Sequence, residues 1–162
     1  MIKMVFQPIS QFMRQAILSA EENLRTGKGG PFGACIVKND EIIAIAHNTV
    51  LLEDATCHAE INAIRTASKK LGTWDLSGCE IYSTTEPCPM CFSAIHWANI
   101  EKIIYGTTIK DVQKLGFNEL SISNHQMRRL GKTTVKLYPH FLKQECLLLL
   151  QKWTQSEYRQ AY

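Results

Sequence analysis

No window of the 162-residue chain approaches the roughly 20 consecutive apolar residues that a membrane-spanning helix requires, so no membrane partner is expected. The start of the chain, where Lys3 interrupts a few apolar residues, is far shorter than the hydrophobic region of an export signal, and a cytoplasmic location follows as an expectation. An excess of one charge is missing too. With 18 Lys and Arg against 15 Asp and Glu, there is no strong electrostatic footprint for nucleic acid or an anionic surface, and a small uncharged ligand suits the balance. Internal repeats, low-complexity segments and domain linkers are all lacking. The length suits one domain over residues 1–162, large enough to bury a core without disulfide staples.

Cysteine is present, at six positions. Where no export signal is found, a reducing environment favours metal binding over disulfides for the closely spaced Cys88 and Cys91, and leaves Cys35, Cys57, Cys79 and Cys146 as buried thiols.

Apolar spacing marks out the elements. Phe12, Met13, Ala16, Ile17, Ala20 and Leu24 recur at helical intervals after Ser10, a candidate cap, and Gly27 is placed to end the helix. A loop with four glycines and Pro31 leads into a buried strand, Ala34-Cys35-Ile36-Val37, and Asn39-Asp40 is suited to the turn of a hairpin returning through Ile42–Ala46 to His47 and Asn48. Residues 58–71 are predicted helical with Gly72 as terminator, Ile81-Tyr82-Ser83-Thr84 a strand, and residues 88–98 a helix opened by Pro87. A strand at Ile103-Ile104-Tyr105, a short helix over 109–115, a polar insertion without periodicity over 116–132, a strand over 134–138 and a C-terminal helix with a tail complete the expectation. Strands joined through helices pair in parallel, so an α/β fold with a mixed sheet and helices on both faces is implied, its cleft at the carboxyl ends of the strands.

Chemistry concentrates in two segments, His58-Ala59-Glu60 and Pro87-Cys88-Pro89-Met90-Cys91. Two thiolates three residues apart and one imidazole can hold zinc with its fourth position open to water, which separates a catalytic site from a closed structural one. Zinc lowers the pKa of such a water from 15.7 to about 7, and Glu60, two residues past the ligand His58, is close enough to move its protons. Cys-x-x-Cys alone is shared with redox dithiols and structural zinc knuckles; joined to His-x-Glu it is the signature of zinc deaminases, with the glutamate as proton shuttle and not as ligand. A structural site closed by Cys57 or Cys79 is the alternative, disfavoured because Cys57 adjoins His58 and Cys79 begins a strand.

On these motifs the chain resembles the cytidine deaminase superfamily, in the branch holding guanine deaminases and tRNA adenosine deaminases. Gly29-Gly30-Pro31-Phe32-Gly33-Ala34, Ala94-Ile95-His96-Trp97-Ala98 and Gly116-Phe117-Asn118-Glu119 are closer to the bacterial guanine deaminases. The similarity runs from the first helix to Ile122, fades, and returns at Trp153 and Tyr162. The resemblance implies a three-layer α/β/α fold around a five-stranded mixed sheet, one zinc per subunit on His58, Cys88 and Cys91, Glu60 as proton shuttle, and a homodimer in which C-terminal segments are exchanged between subunits. It implies guanine as substrate, converted to xanthine and ammonia. Asn48 then contacts the base, Phe32 and Trp97 wall it, Glu119 is a second acidic residue where the relatives' pattern has aspartate, and Tyr162 closes the pocket from the tail. The rival readings are a tRNA adenosine deaminase, for which Arg128, Arg129 and Lys132 would matter, a deaminase of guanosine or another nucleobase, and a zinc-bearing scaffold or RNA-binding module without catalysis. Intact Glu60 speaks against the last, since a scaffold needs no proton shuttle. The basic group Arg128, Arg129, Lys132 and Lys136 otherwise forms a solvated face, and His96, His125 and His140 take surface or packing roles.

Overall fold

The computed structural model describes residues 5–162; the apolar start around Lys3 lies outside them. Five strands form one mixed sheet in the order β2-β1-β3-β4-β5. The hairpin of β1 (Gly33–Lys38) and β2 (Glu41–His47) turns at Asn39 and Asp40, whose φ of 51° and 61° are the left-handed values that a two-residue turn matched to strand twist demands. β1 also pairs antiparallel with β3 (Cys79–Thr85), and β3 pairs in parallel with β4 (Lys102–Thr107), which pairs in parallel with β5 (Lys136–Tyr138). Every residue of β3 is buried, as expected of a strand flanked on both edges and covered on both faces.

One face carries α1 (Ser10–Glu21) and the C-terminal helix α7 (Lys143–Thr154), whose Phe12, Met13, Ala16 and Cys146 pack on Cys35, Val37, Tyr82 and Ile104. On the other face lie α3 (Ala59–Leu71) and α4 (Pro89–Trp97). Ala59, Ala63 and Ala67 of α3 let it approach Ala34, Ile36 and Ile81 closely, and Phe92 and Ile95 of α4 extend the same core. The layers are therefore α/β/α, and the strands alternate their side chains between the two cores.

Several elements differ from the sequence expectation. Ser10 is the first helical residue, and Ile9 holds the cap position without a side-chain bond. Helix α1 breaks at Glu22 into a separate turn, α2 (Asn23–Thr26), which Gly27 ends at φ 61°. Within the polar stretch 116–132, after the short helix α5 (Ile109–Gln113), lies a further helix, α6 (Asn124–Leu130), which places His125 in a helix and not in a loop. Its polar surroundings hide any apolar period, but Ser123 and Gln126 form a capping box, a signal legible in the sequence as Ser-x-x-Gln. The last strand spans three residues, not five. Among the described residues no helix is long and apolar enough to cross a membrane.

Candidate active site

Both halves of the motif pair arrive at one end of the sheet. His58 is the N-cap residue of α3 and Cys88 that of α4, each extended, with ψ of 156° and 166°. Pro89 at the first helical position presets the turn that brings Cys91 beside Cys88. The His58 Nδ1, Cys88 Sγ and Cys91 Sγ atoms lie within 4.8 Å of one another, and Cys88 Sγ is 3.6 Å from His58 Nδ1. Two ligands of a tetrahedral zinc at about 2.0 Å (nitrogen) and about 2.3 Å (sulfur) are separated by roughly 3.5 Å. The donor set thus fits zinc in chemistry and spacing. Cys57 points elsewhere, toward Glu53 and Arg65, and Cys79 begins β3, so neither joins the three ligands.

Glu60, in the first turn of α3, is 6% exposed, and its Oε2 accepts from the Cys91 thiol at 3.4 Å. Ser83 Oγ lies 2.7 Å from Glu60 Oε1 and 2.6 Å from the Thr85 carbonyl. The Ser83 hydroxyl donates toward both, and its bond to Glu60 favours the ionised carboxyl. Burial pushes the Glu60 carboxyl up, against the pull of the His58 charge and of the Ser83 bond. In the metal-free chain Cys88 is lowered to about 4, by the Cys91 thiol's hydrogen bond first and by His58, against burial. Burial and the neighbouring Cys88 hold Cys91 well above its ordinary value. Burial pulls His58 down, but the Cys88 contact and the Glu60 and Cys88 charges outweigh it. One thiolate stands ready, and metal binding must displace the proton of the other.

A cavity of about 290 Å³ opens over these groups, lined by Phe32, Asn48, Glu60, Phe117, Glu119 and Tyr162 among others. Asn48 is buried; its Oδ1 accepts from Val50 N–H at 3.0 Å, while its Nδ2 makes no close hydrogen bond and has the Tyr162 hydroxyl as its neighbouring acceptor. Asn23 Nδ2 fixes the surrounding loop by donating to the carbonyls of Gly30 and Asn48, both at 2.8 Å. Gly29 presses against Asn48 so closely that a Cβ there would stand 2.7 Å from the Asn48 carbonyl oxygen and closer still to Oδ1. Phe32 meets Phe117 edge-on at 5.0 Å. The tail returns over the cavity: Gly30 N–H donates to the Tyr162 hydroxyl at 3.3 Å, Asn118 N–H donates to the Tyr162 carbonyl at 3.1 Å, and the Tyr162 ring stands on Phe117 at 5.4 Å. Glu119 enters from the α5–α6 connection, its carboxyl raised to about 7 by burial first and by the Cys88 charge, with His58 opposing.

Trp97 is the exception among the expected site residues. It ends α4 with 76% of its surface exposed and is not among the residues lining the cavity. The buried arc of α4 runs through Cys91, Phe92, Ile95 and Ala98; at 100° per residue Trp97 falls outside it, and although it shares a stripe with Met90, which borders the cavity from the first turn, it stands two turns further away. Sequence reasoning missed Glu86 and Ser83. The signal for Glu86 was a charged residue next to Pro87 at the end of a buried strand.

The description "cytidine and deoxycytidylate deaminase zinc-binding region" fits residues 7–107, the span holding His58, Glu60, Cys88 and Cys91. This chain belongs to that deaminase family. It is a zinc-dependent hydrolytic deaminase with the fold of its family. Guanine deaminase of Bacillus subtilis is 38% identical over 152 residues, covering 93% of this chain and 97% of the relative. A tRNA-specific adenosine deaminase of Aquifex aeolicus is 45% identical over 100 residues, 61% of this chain and 66% of the relative. Among solved structures, guanine deaminase from Nitrosomonas europaea matches with a TM-score of 0.78 at 27% identity, covering 91% of this chain and 86% of that one.

Proposed function

We propose that this deaminase converts guanine and water to xanthine and ammonia in a single catalytic domain, residues 1–162. The observation that carries the reading is the buried Asn48 amide, whose Nδ2 has no close hydrogen bond within the protein and only the Tyr162 hydroxyl of the tail as a neighbouring acceptor, in a cavity that also holds the Glu60 and Glu119 carboxyls. Guanine offers O6 and N7 as acceptors for Asn48 and ring N–H donors for Glu119, which leaves C2 and its amine to face Glu60. Phe32 and Phe117 border the flat base, and Tyr162 closes the cavity behind it, which favours a free base over a base carried on tRNA. Zinc held by His58, Cys88 and Cys91 supplies, when bound, a water acidic enough to attack at neutral pH. Glu60 takes that water's proton and passes it to the ring nitrogen beside C2, then takes the proton of the newly added hydroxyl and delivers it to the amine, which leaves as ammonia. Ser83 orients Glu60 by donating to its Oε1.

The deaminase works as a cytoplasmic homodimer in this reading, joined through the outward stripe of α4 where Met90 and Trp97 are exposed. Ammonia release from the zinc-loaded protein, offered guanine, guanosine, adenine, cytosine and tRNA in turn, tests the proposal. Guanine is expected to react, and Glu60→Gln to lose about 10² to 10⁴ of the rate while keeping its zinc. Turnover of tRNA alone, falling steeply with salt, would assign the chain to the adenosine branch instead, with Arg128, Arg129 and Lys132 as the surface involved.

A further inference from the structure

The connection that carries Glu119 over the cavity, counted from the start of α5 to the start of α6, has both ends tied to one side chain. Glu86 lies in the turn between β3 and the Cys88 ligand and is buried at 6% exposure. Its Oε2 accepts from Ile109 N–H, the first residue of α5, at 3.1 Å, and its Oε1 accepts from Asn124 N–H, the first residue of α6, at 2.8 Å. Asn124 completes the tie, its Nδ2 donating to the Pro87 carbonyl at 2.6 Å. Each helix start is also closed by its own capping box, Thr108 with Asp111 and Ser123 with Gln126, so the two ends are locally stiff. Between them Gln113 Nε2 donates to the Glu119 carbonyl at 3.1 Å and to Ser121 Oγ at 2.8 Å. A carboxylate suits this place because it only accepts, and it presents one oxygen to each N–H.

We propose that Glu86 is a positioning residue for the deamination, clamping both ends of the Glu119 connection to the turn that carries Cys88. The role rests on the reading of Glu119 as a group that contacts the substrate. The clamp sets the distance from Glu119 to the metal ligands by structure and not by contact with the reacting atoms. Glu86→Gln is nearly isosteric, yet it turns an amide N–H₂ toward one of the two backbone donors and breaks that tie without opening a cavity.

The test uses the full, zinc-loaded chain. Glu86→Gln is expected to keep one zinc per chain, to speed hydrogen exchange of residues 114–123 about tenfold or more, and to lower turnover by up to about a hundredfold, the scale of a 1 Å misplacement. Glu119→Gln should leave that exchange at the wild-type rate. The double variant should be no slower than Glu119→Gln alone, because a clamp has nothing left to position. Asn124→Ala, which loosens the same tie from the other side, should reproduce the exchange pattern in weaker form. Unchanged exchange in both Glu86→Gln and Asn124→Ala, loss of zinc from Glu86→Gln, or a double variant whose loss is the product of the single losses would overturn the proposal. If wild-type protein does not deaminate guanine, the substrate reading fails separately, and hydrogen exchange and zinc content still decide the clamp.

Discussion

Glu119 holds its proton to about pH 7 in the metal-free chain because burial, and then the Cys88 charge, disfavour its ionised form. Unfolded, the same carboxyl ionises near 4.5. The folded-state value is the higher one, so its contribution to stability is full below pH 4.5 and is lost as pH rises toward 7. The metal-free protein should therefore lose on the order of 1–2 kcal/mol of this contribution across that window, after allowance for partial solvent screening. Glu119→Gln should flatten that part of the curve in urea titrations at a series of pH values; an identical slope in both proteins would refute the assignment. Asn48 follows a different residue-scale logic. Its side chain is held by the neighbouring backbone through Oδ1 only, and its Nδ2 is the donor that the proposed function assigns to the base.

At the scale of elements, the glycine-rich loop is shaped by contact and not by flexibility. A methyl group at residue 29 meets Asn48 within van der Waals distance on two sides, so Gly29→Ala should cost about 1–3 kcal/mol of stability and raise KM for the base more than it lowers kcat; thermal unfolding and steady-state kinetics check both. The main elements were legible because each declared itself locally: Ile61, Ile64, Ala67 and Leu71 recur at helical spacing in α3, Gly72 ends it at φ 68°, and Asn39-Asp40 turns the hairpin. The three metal ligands were legible through the pairing of His-x-Glu with Cys-x-x-Cys. Two features were not. Helix α6 has one buried residue, Asn124, so it lacks an apolar period and only its capping box betrays it. Trp97 was expected at the base because its neighbours resemble a family motif, but the rotation of α4 is set by what Cys91, Phe92 and Ile95 bury, and a motif does not report which face its tryptophan takes.

Across the whole molecule, the outward stripe of α4 is the interface of the proposed homodimer. Met90 and Trp97 stand two turns apart with 36% and 76% of their surface exposed, and Trp97→Lys is expected to shift sedimentation from dimer toward monomer; a mutant that sediments like wild type would place the interface elsewhere. The three ligands also join two helices that the chain itself connects only through a strand. Neither His58 nor Cys88 makes a side-chain capping bond, although Ser, Asp or Asn at such positions is worth about 1 kcal/mol. The chain has given up a conventional helix start twice, at the two places where an ion can bridge α3 to α4. Metal loading is thereby coupled to the integrity of one entire layer of the sandwich, so the abundance of folded protein in a cell would follow the supply of zinc as well as the rate of synthesis.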